Sequence, residues 1–502
     1  MRISRPPLLA VALASVVAGT FASSSCSNRQ DFPAGAQSLP ASFDTVTVPS
    51  LPSSCSGTTF FVGSTSLCAT GFTYLLCDGS GYSGYDCTQP GGAWTRETAS
   101  QDPVASGPNA CDGPDGGASS PRGSVYVEAN QRSPGKNAVL QYRYCNGSLL
   151  QTVVGRYATG GSGAADLNDN GILDADQQLV VDASQTLLFA VNQGSDSIAA
   201  FHIAADGSLT PVAGSPFPSG GPAPASVGVS GDILVVANKA SDGVRNLGNA
   251  VPNYTTFTIE ADGTLTHTGT TYTLPRYSSP TQVYVAPGGN LVFGTEESGV
   301  LRGLQLSPTG GLTLAPGSPV SLPNSIFDAG QRPQPVWPAG LSATPTGSIL
   351  YTGVPNYGSI AAFAFTATGD LTFLSGEIAP EASLPCWSVV SPDGRRLYFA
   401  NAGSNNVSVW DVATDPRRPA WLQTLTLRGG GNPWGLRIDP TGTLLFVISP
   451  RQVKQVPLDE GQWLHGATLS ADGTLAEMRG SPVPIPVAID TNPFGVAVVA
   501  DR

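Results

Sequence analysis

The sequence predicts an all-β protein, a seven-bladed β-propeller behind a small Cys-rich N-terminal region, and three observations carry that prediction. Glycine (60) and proline (43) together exceed one residue in five of the 502, while 40% of the chain is hydrophobic and only 12% charged. Such a chain can bury a large core yet turns often, which excludes wholesale disorder and favours many short strands. A phrase of turn, strand, polar turn and strand recurs along the chain. The last strand-like stretch, "NPFGVAVVAD" (492–501), begins such a unit and has nothing after it.

The phrase is complete in "DASQTLLFAVNQGSDSIAAFHIAADGSLTPVAGSP" (182–216). Further copies are "SGDILVVAN" with "NYTTFTIEADGTLTHTG", "APGGNLVFGTE" with "GVLRGLQLSPTGGLTLAPG", and "TPTGSILYTGV" with "SIAAFAFTATGDLTFLSG". Others are the stretch around 386–425 and "DPTGTLLFVIS" with "GATLSADGTLAEMRG". "GSVYVEAN" with "NAVLQYRYCNGSLLQTV" (123–153) is a shorter first copy. Seven units of about 45–60 residues with four short strands each are the pattern of a propeller rather than of a two-sheet sandwich. The Asp-Gly and Thr-Gly pairs suit hairpin turns that need positive φ. The first unit lacks its leading strand and the C-terminus supplies one, so 492–501 is expected to pair into the unit containing 123–153.

Upstream, Arg2 and Arg5 precede an apolar run from Leu8 to Ala22, and Thr20–Ala22 is a fair cleavage site; 1–22 is expected to be a secretory signal. Cys26 allows lipidation at a new N-terminus, although Ser23 stands where a lipobox usually has Leu. The destination is therefore exported: periplasmic, cell-surface lipoprotein or extracellular. Residues 23–54 read as a Pro/Ser/Gly-rich linker, 55–121 as a disulfide-stapled module and 122–502 as the propeller. Cys55, Cys68, Cys77, Cys87, Cys111 and Cys145 form an even set if Cys26 is lipidated or removed and Cys386 is a free thiol. Paired C-x-x-C spacing with nearby His is missing, so disulfides are expected in place of zinc. The net charge of −12 argues against nucleic acid or anionic lipid as main partner. No later segment is long and apolar enough to span a bilayer, and a monomer is expected.

"SPDGRRLYFANAGSNNVSVW", "LLFAVNQGSDSIAAF" and "ADGSLTPVAGSP" resemble the seven-bladed lactonase family, which includes bacterial 6-phosphogluconolactonases and fungal carboxymuconate cyclases. The resemblance spans about 122–502. "LPCWSVVSPDGRRLYFANAGS" is especially similar to an exported branch. In that family a Pro-His, an Arg-His and the Glu of an "NE" strand end share the work of opening a lactone, which needs a base and a cation. The corresponding segments here are "APASV" (223–227) and "SPTQVYVAP" (279–287), with Ala225, Thr281 and Gln282 at the His and Arg positions. The acid is retained as Glu296, with Glu297 adjacent. Strand alternation is expected to turn Arg302 to the other face. The chain has three His, and two of them sit next to Gly-rich turns, which suggests outer-blade positions.

Cys386-Trp387 begins a strand near the axis. The indole is expected either to pack between blades or to stack on a ligand in the central pocket. "DLNDNGILDADQ" (166–177) sets Asp166, Asn168, Asn170 and Asp174 at calcium-loop spacing, with Gln177 in place of the closing Glu. It reads either as a structural calcium site or as an acidic inter-blade turn; no other cofactor is required. Two functions stay open. One is a lactonase-like hydrolase of a small sugar lactone or related cyclic acid. The other is a non-catalytic propeller that binds a ligand or a cell-surface protein partner.

Overall fold

The computed structural model describes residues 122–145, 147–150, 152–164, 175–242, 245–323, 336–451, 461–487 and 491–502. It also describes three earlier strands, Thr73–Cys77, Gly81–Asp86 and Ala93–Thr98. These three form one antiparallel meander in the Cys-rich region. Cys26, Cys55, Cys68, Cys87 and Cys111 lie outside the described residues.

Seven further sheets, each built on four antiparallel strands, make the blades of a propeller. Around the ring their innermost strands are Phe494–Ala500 (blade 1), Leu179–Val181 (blade 2), Pro224–Ser230 (blade 3) and Pro280–Val285 (blade 4). Leu341–Ala343, Pro385–Val390 and Leu436–Ile438 follow in blades 5, 6 and 7. Each of these strands packs on its counterparts in the two adjacent blades, and the series closes on itself from blade 7 to blade 1.

The second strands Ile233–Asn238, Leu291–Glu296, Ile349–Val354 and Leu444–Ser449 are buried along their whole length, because a neighbouring blade covers each face. The outermost strands Leu265–Thr273 and Leu371–Ile378 are largely exposed or half-buried. The core is thus a set of layers between blades. Tyr144 of blade 1 lies 5.0 Å from Phe446 of blade 7, centroid to centroid.

The repeated Asp-Gly-Ser/Thr turns fasten one blade to the next. Asp206 Oδ1 accepts from the backbone N (2.9 Å) and hydroxyl (2.7 Å) of Ser208. Asp262 with Thr264 and Asp472 with Thr474 repeat the arrangement. Gly207 (φ 81°) and Gly473 (φ 82°) take the left-handed conformation that these turns require. Their carbonyls accept hydrogen bonds from the preceding blade: Tyr126 Oη to Gly207 at 2.5 Å and Tyr398 Oη to Gly473 at 3.0 Å.

Blade 1 is closed as expected. Phe494–Ala500 pairs antiparallel with Arg122–Glu128, with Ala497 opposite Tyr126 and Val499 opposite Ser124. Arg143 grips the Asp501 carboxylate with both terminal nitrogens, at 2.7 and 2.5 Å. Cys145 and Cys386 are both disulfide-bonded, which corrects the expectation that Cys386 is the free thiol of the set. Among the described residues no helix is long and apolar enough to cross a membrane.

Ending the chain at Thr491 removes the buried Phe494, Val496 and Val499 and strips one edge from blade 1. Losing three such side chains costs on the order of 6–10 kcal/mol, comparable to a domain's whole stability. The truncated chain is expected to show no cooperative thermal transition by circular dichroism, whereas Asp501→Ala, at a partly exposed pair, should lower stability by only about 1 kcal/mol.

Candidate functional site at the propeller mouth

The innermost strands of blades 3, 4 and 6 begin in the same way. A residue with left-handed φ (Ala223 53°, Ser279 48°, Leu384 51°) precedes a proline, and the ladder then slips by one residue. The slip makes Ala225, Thr281 and Cys386 the bulged residues of their ladders. A bulge of this kind re-aims one side chain at the rim of a sheet. The backbone therefore presents Ala225 and Thr281 at matching places in adjacent blades. Neither can act as a base or a cation. Ala225 offers a buried methyl group, and the Thr281 hydroxyl bonds Thr295 Oγ1 at 2.7 Å.

Glu296 ends the second strand of blade 4 and is fully buried. Arg302 Nε donates to Oε1 and Arg302 Nη2 donates to Oε2 at 3.1 Å. Ladder register explains the pairing. Gly294 lies opposite Arg302 and Glu296 opposite Val300, so Glu296 and Arg302 are diagonal neighbours on one face. This corrects the expectation that alternation turns Arg302 away. Gly294 leaves room for Tyr254 of blade 3, whose hydroxyl would lie 1.9 Å from a Cβ at that position. Burial, and next the charge of Glu296, push the Tyr254 phenol well above its ordinary value. Glu297, 32% exposed, accepts from Lys239 Nζ at 2.7 Å, and that lysine side chain is fully buried at the end of blade 3's second strand. Both glutamates are thus committed to ion pairs at the junction of blades 3 and 4.

The axis itself is crossed by the chain. Residues 175–178, on their way into blade 2, touch blades on both sides of the ring. Trp434 Nε1 of blade 7 donates to the Ala175 carbonyl at 3.2 Å. The Asp176 amide donates to Thr281 of blade 4 at 3.1 Å, and the Gln177 carbonyl accepts from Val227 of blade 3 at 3.0 Å. The Gln282 amide nitrogen reaches Gln177 Oε1 at 3.1 Å and Asp176 Oδ2 at 3.3 Å, while its oxygen accepts from the Leu341 amide. Arg437 of blade 7 faces Asp176 Oδ1 at 3.5 Å. Gln177 holds φ 59°, uncommon for a residue with a side chain.

Trp387 is fully buried beside this crossing. Its ring packs on Gly340, where a Cβ would lie 2.6 Å from it, and meets Trp434 edge-on at 5.9 Å; Phe494 continues the aromatic row at 5.1 Å from Trp434. Asp166, Asn168, Asn170 and Asp174 lie outside the described residues. Among the described residues no group of three or more His, Cys, Asp or Glu could hold a metal ion.

All three histidines sit away from the axis, on third or fourth strands. His465 is buried against Glu477 at 3.0 Å, and burial pushes its imidazole below the usual value. Burial alone would raise the Glu477 carboxyl, but hydrogen bonds from His465, Arg428 and Ser481 outweigh it and hold the group at about 2.

Two residues escaped the sequence reading. Arg437 stands between Leu436 and Ile438 in an innermost strand, and a lone charge inside an apolar strand was the available signal. Glu128 ends the second strand of blade 1, where Glu296 ends that of blade 4, and "GSVYVE" beside "NLVFGTE" shows the parallel. Asn137 Nδ2 donates to Glu128 Oε1 at 2.7 Å, and Oε2 is buried without a hydrogen-bond partner. Burial holds this carboxyl well above its ordinary value.

Two stability measurements follow. Arg302→Leu leaves Glu296 buried and uncompensated and is expected to cost about 3–5 kcal/mol by urea unfolding, most of which the double variant Glu296→Leu/Arg302→Leu should recover. Because burial raises the Glu128 carboxyl on folding, its contribution is fully present below the unfolded-state value and is lost as pH rises towards the folded-state value. Between about pH 5 and 8 the urea midpoint of the native chain should therefore fall more steeply than that of Glu128→Gln.

Residues 253–418 match the family model described as lactonase, 7-bladed beta-propeller. No curated protein matches the chain. Among solved structures, the periplasmic gluconolactonase of Pseudomonas aeruginosa aligns at TM-score 0.57 and 18% identity, over 76% of this chain and all of that one. A candidate 6-phosphogluconolactonase of Bacteroides fragilis aligns at 0.54 and 17%, over 78% of this chain and all of that one. A hypothetical selenium-binding protein of Sulfolobus tokodaii aligns at 0.51 and 10%, over 75% and 94%. At these identities the solved structures show a shared fold.

Proposed function

We propose, from the premise that this is a seven-bladed lactonase-family propeller, that the protein is exported and takes a small sugar lactone or related cyclic acid at its axial mouth, holding it rather than turning it over quickly. The family match and the lactone-directed names of two structural neighbours support the ligand class. The charged, apolar and small-residue run of 1–22 and the periplasmic neighbour support export. One observation carries the slow chemistry: the bulged positions that would present base and cation hold Ala225 and Thr281, while Glu296 and Glu297 are tied up by Arg302 and Lys239.

The magnitudes agree. A missing oxyanion donor costs about 10²–10³ in rate and a missing general base a further 10²–10⁴ or so. Purified protein should therefore hydrolyse glucono-δ-lactone and 6-phosphogluconolactone at close to the spontaneous rate, while calorimetry with fresh gluconolactone detects binding. Fast hydrolysis that collapses in Glu296→Gln would replace this reading with an enzyme acting at the junction of blades 3 and 4.

A second reading, a propeller that binds a protein partner, draws on exposed apolar side chains. Ile378 (66% exposed), Trp421 (45%) and Leu422 (39%) stand on the outermost strands of the adjacent blades 5 and 6.

A further inference from the structure

We propose that Arg437 is the carboxylate anchor of the axial site and Asp176 its built-in stand-in. The preferred ligand is then a small polyhydroxy monocarboxylate, the ring-opened acid of a sugar lactone, which binds by displacing Asp176. This inference rests on the reading that the axial mouth takes lactone-class ligands.

The pair is poorly made by the protein's own standard. Glu296–Arg302 and Arg143–Asp501 are both two-pronged, as the planar guanidinium favours. Arg437 instead spends Nη1 on the carbonyl of its own neighbour Leu436 at 2.7 Å. Its buried Nη2 has no hydrogen-bond partner and faces Asp176 Oδ1 at 3.5 Å, too far for a charge-assisted bond. Among the described residues, the other Asp176 oxygen receives the long 3.3 Å contact from Gln282. A carboxylate that is buried yet held this loosely is an occupant that a better-fitting carboxylate can replace. A ligand reaching the same guanidinium in line would gain the bond that Asp176 does not make.

The surroundings suit hydroxyl groups. Gln178, just ahead of the innermost strand of blade 2, and Gln282 and Trp387, in those of blades 4 and 6, hold matching places, each opposite the residue before the end of its blade's second strand. Gln178 Oε1 and Trp387 Nε1 are buried without hydrogen-bond partners, one an acceptor and one a donor. Charge sets the class. A phosphorylated sugar would bring about two negative charges to a guanidinium already faced by Asp176, whereas a monocarboxylate exchanges one charge for another.

The test is calorimetry on the full exported chain with sodium gluconate, its neutral analogue gluconamide, and fresh gluconolactone. The native protein should bind gluconate about tenfold more tightly than gluconamide. Asp176→Asn keeps the shape and removes the competing charge, and should tighten gluconate about tenfold with little change for gluconamide. Arg437→Gln should abolish the preference for gluconate. Equal binding of gluconate and gluconamide to the native chain overturns the inference and needs no variant to fold. An Asp176→Asn protein that melts as the native one does and binds gluconate no more tightly also overturns it. Gluconolactone binding without any preference for gluconate defeats this inference alone. Failure of all three compounds to bind defeats the functional reading beneath it.

Discussion

Ring closure is the constraint on which the rest of the molecule depends. A blade has two faces and no core of its own, so a row of blades leaves an apolar face bare at each end. Pairing Phe494–Ala500 with Arg122–Glu128 removes both ends at once, because the last strand of the chain is the innermost strand of the first blade. The entropy of joining the ends of so long a segment grows only with the logarithm of its length, on the order of 5 kcal/mol plus a constant. The apolar strand that closes the ring buries enough surface to offset it. Arg143 on Asp501 and Gln185 on the Ala500 amide then hold the terminal strand in register.

Closure also sets the geometry of the mouth. Seven innermost strands converge on one axis, and three of them repeat a left-handed residue, a proline and a bulge. The same backbone device therefore recurs around the mouth while the side chains it presents differ from blade to blade. Ala225 fills space, Thr281 bonds a neighbouring strand, and Glu296 is clamped by Arg302 between two blades. A buried carboxylate needs such a partner, since desolvation of either charge alone is far more costly than the pair. Glu128, at the matching place in blade 1, has an amide for a partner, and burial instead favours its protonated form. The same strand position thus carries two carboxyls in two electrostatic environments, set by whether the side chain that donates to the carboxyl is a charged Arg302 or a neutral Asn137.

The crossing of the axis by residues 175–178 gives the mouth its polarity. Trp434 and Arg437 of blade 7, Thr281 of blade 4 and Val227 of blade 3 all meet this short segment. It ties opposite sides of the ring together and places one carboxylate at the centre, a role for Asp176 quite unlike the closing position of a calcium loop beside which it stands in the sequence.

The sequence by itself determined the architecture: the number of blades, the swap of the last strand into the first, and the absence of His and Arg from "APASV" and "SPTQVYVAP". Those features are local and repeated, so each copy of the turn-strand phrase reinforces the others. Tertiary structure alone decided which charges meet. Glu296 and Arg302 are brought to one face by ladder register, and the disulfide-bonded state of Cys386 overrides a count of cysteines by parity. Asp176 and Arg437 lie far apart in the chain and meet only because an inter-blade connection runs across the axis before it joins blade 2. No periodicity encodes that path. It is set by where backbone donors and acceptors of several blades are satisfied together, which exists only once the ring has closed.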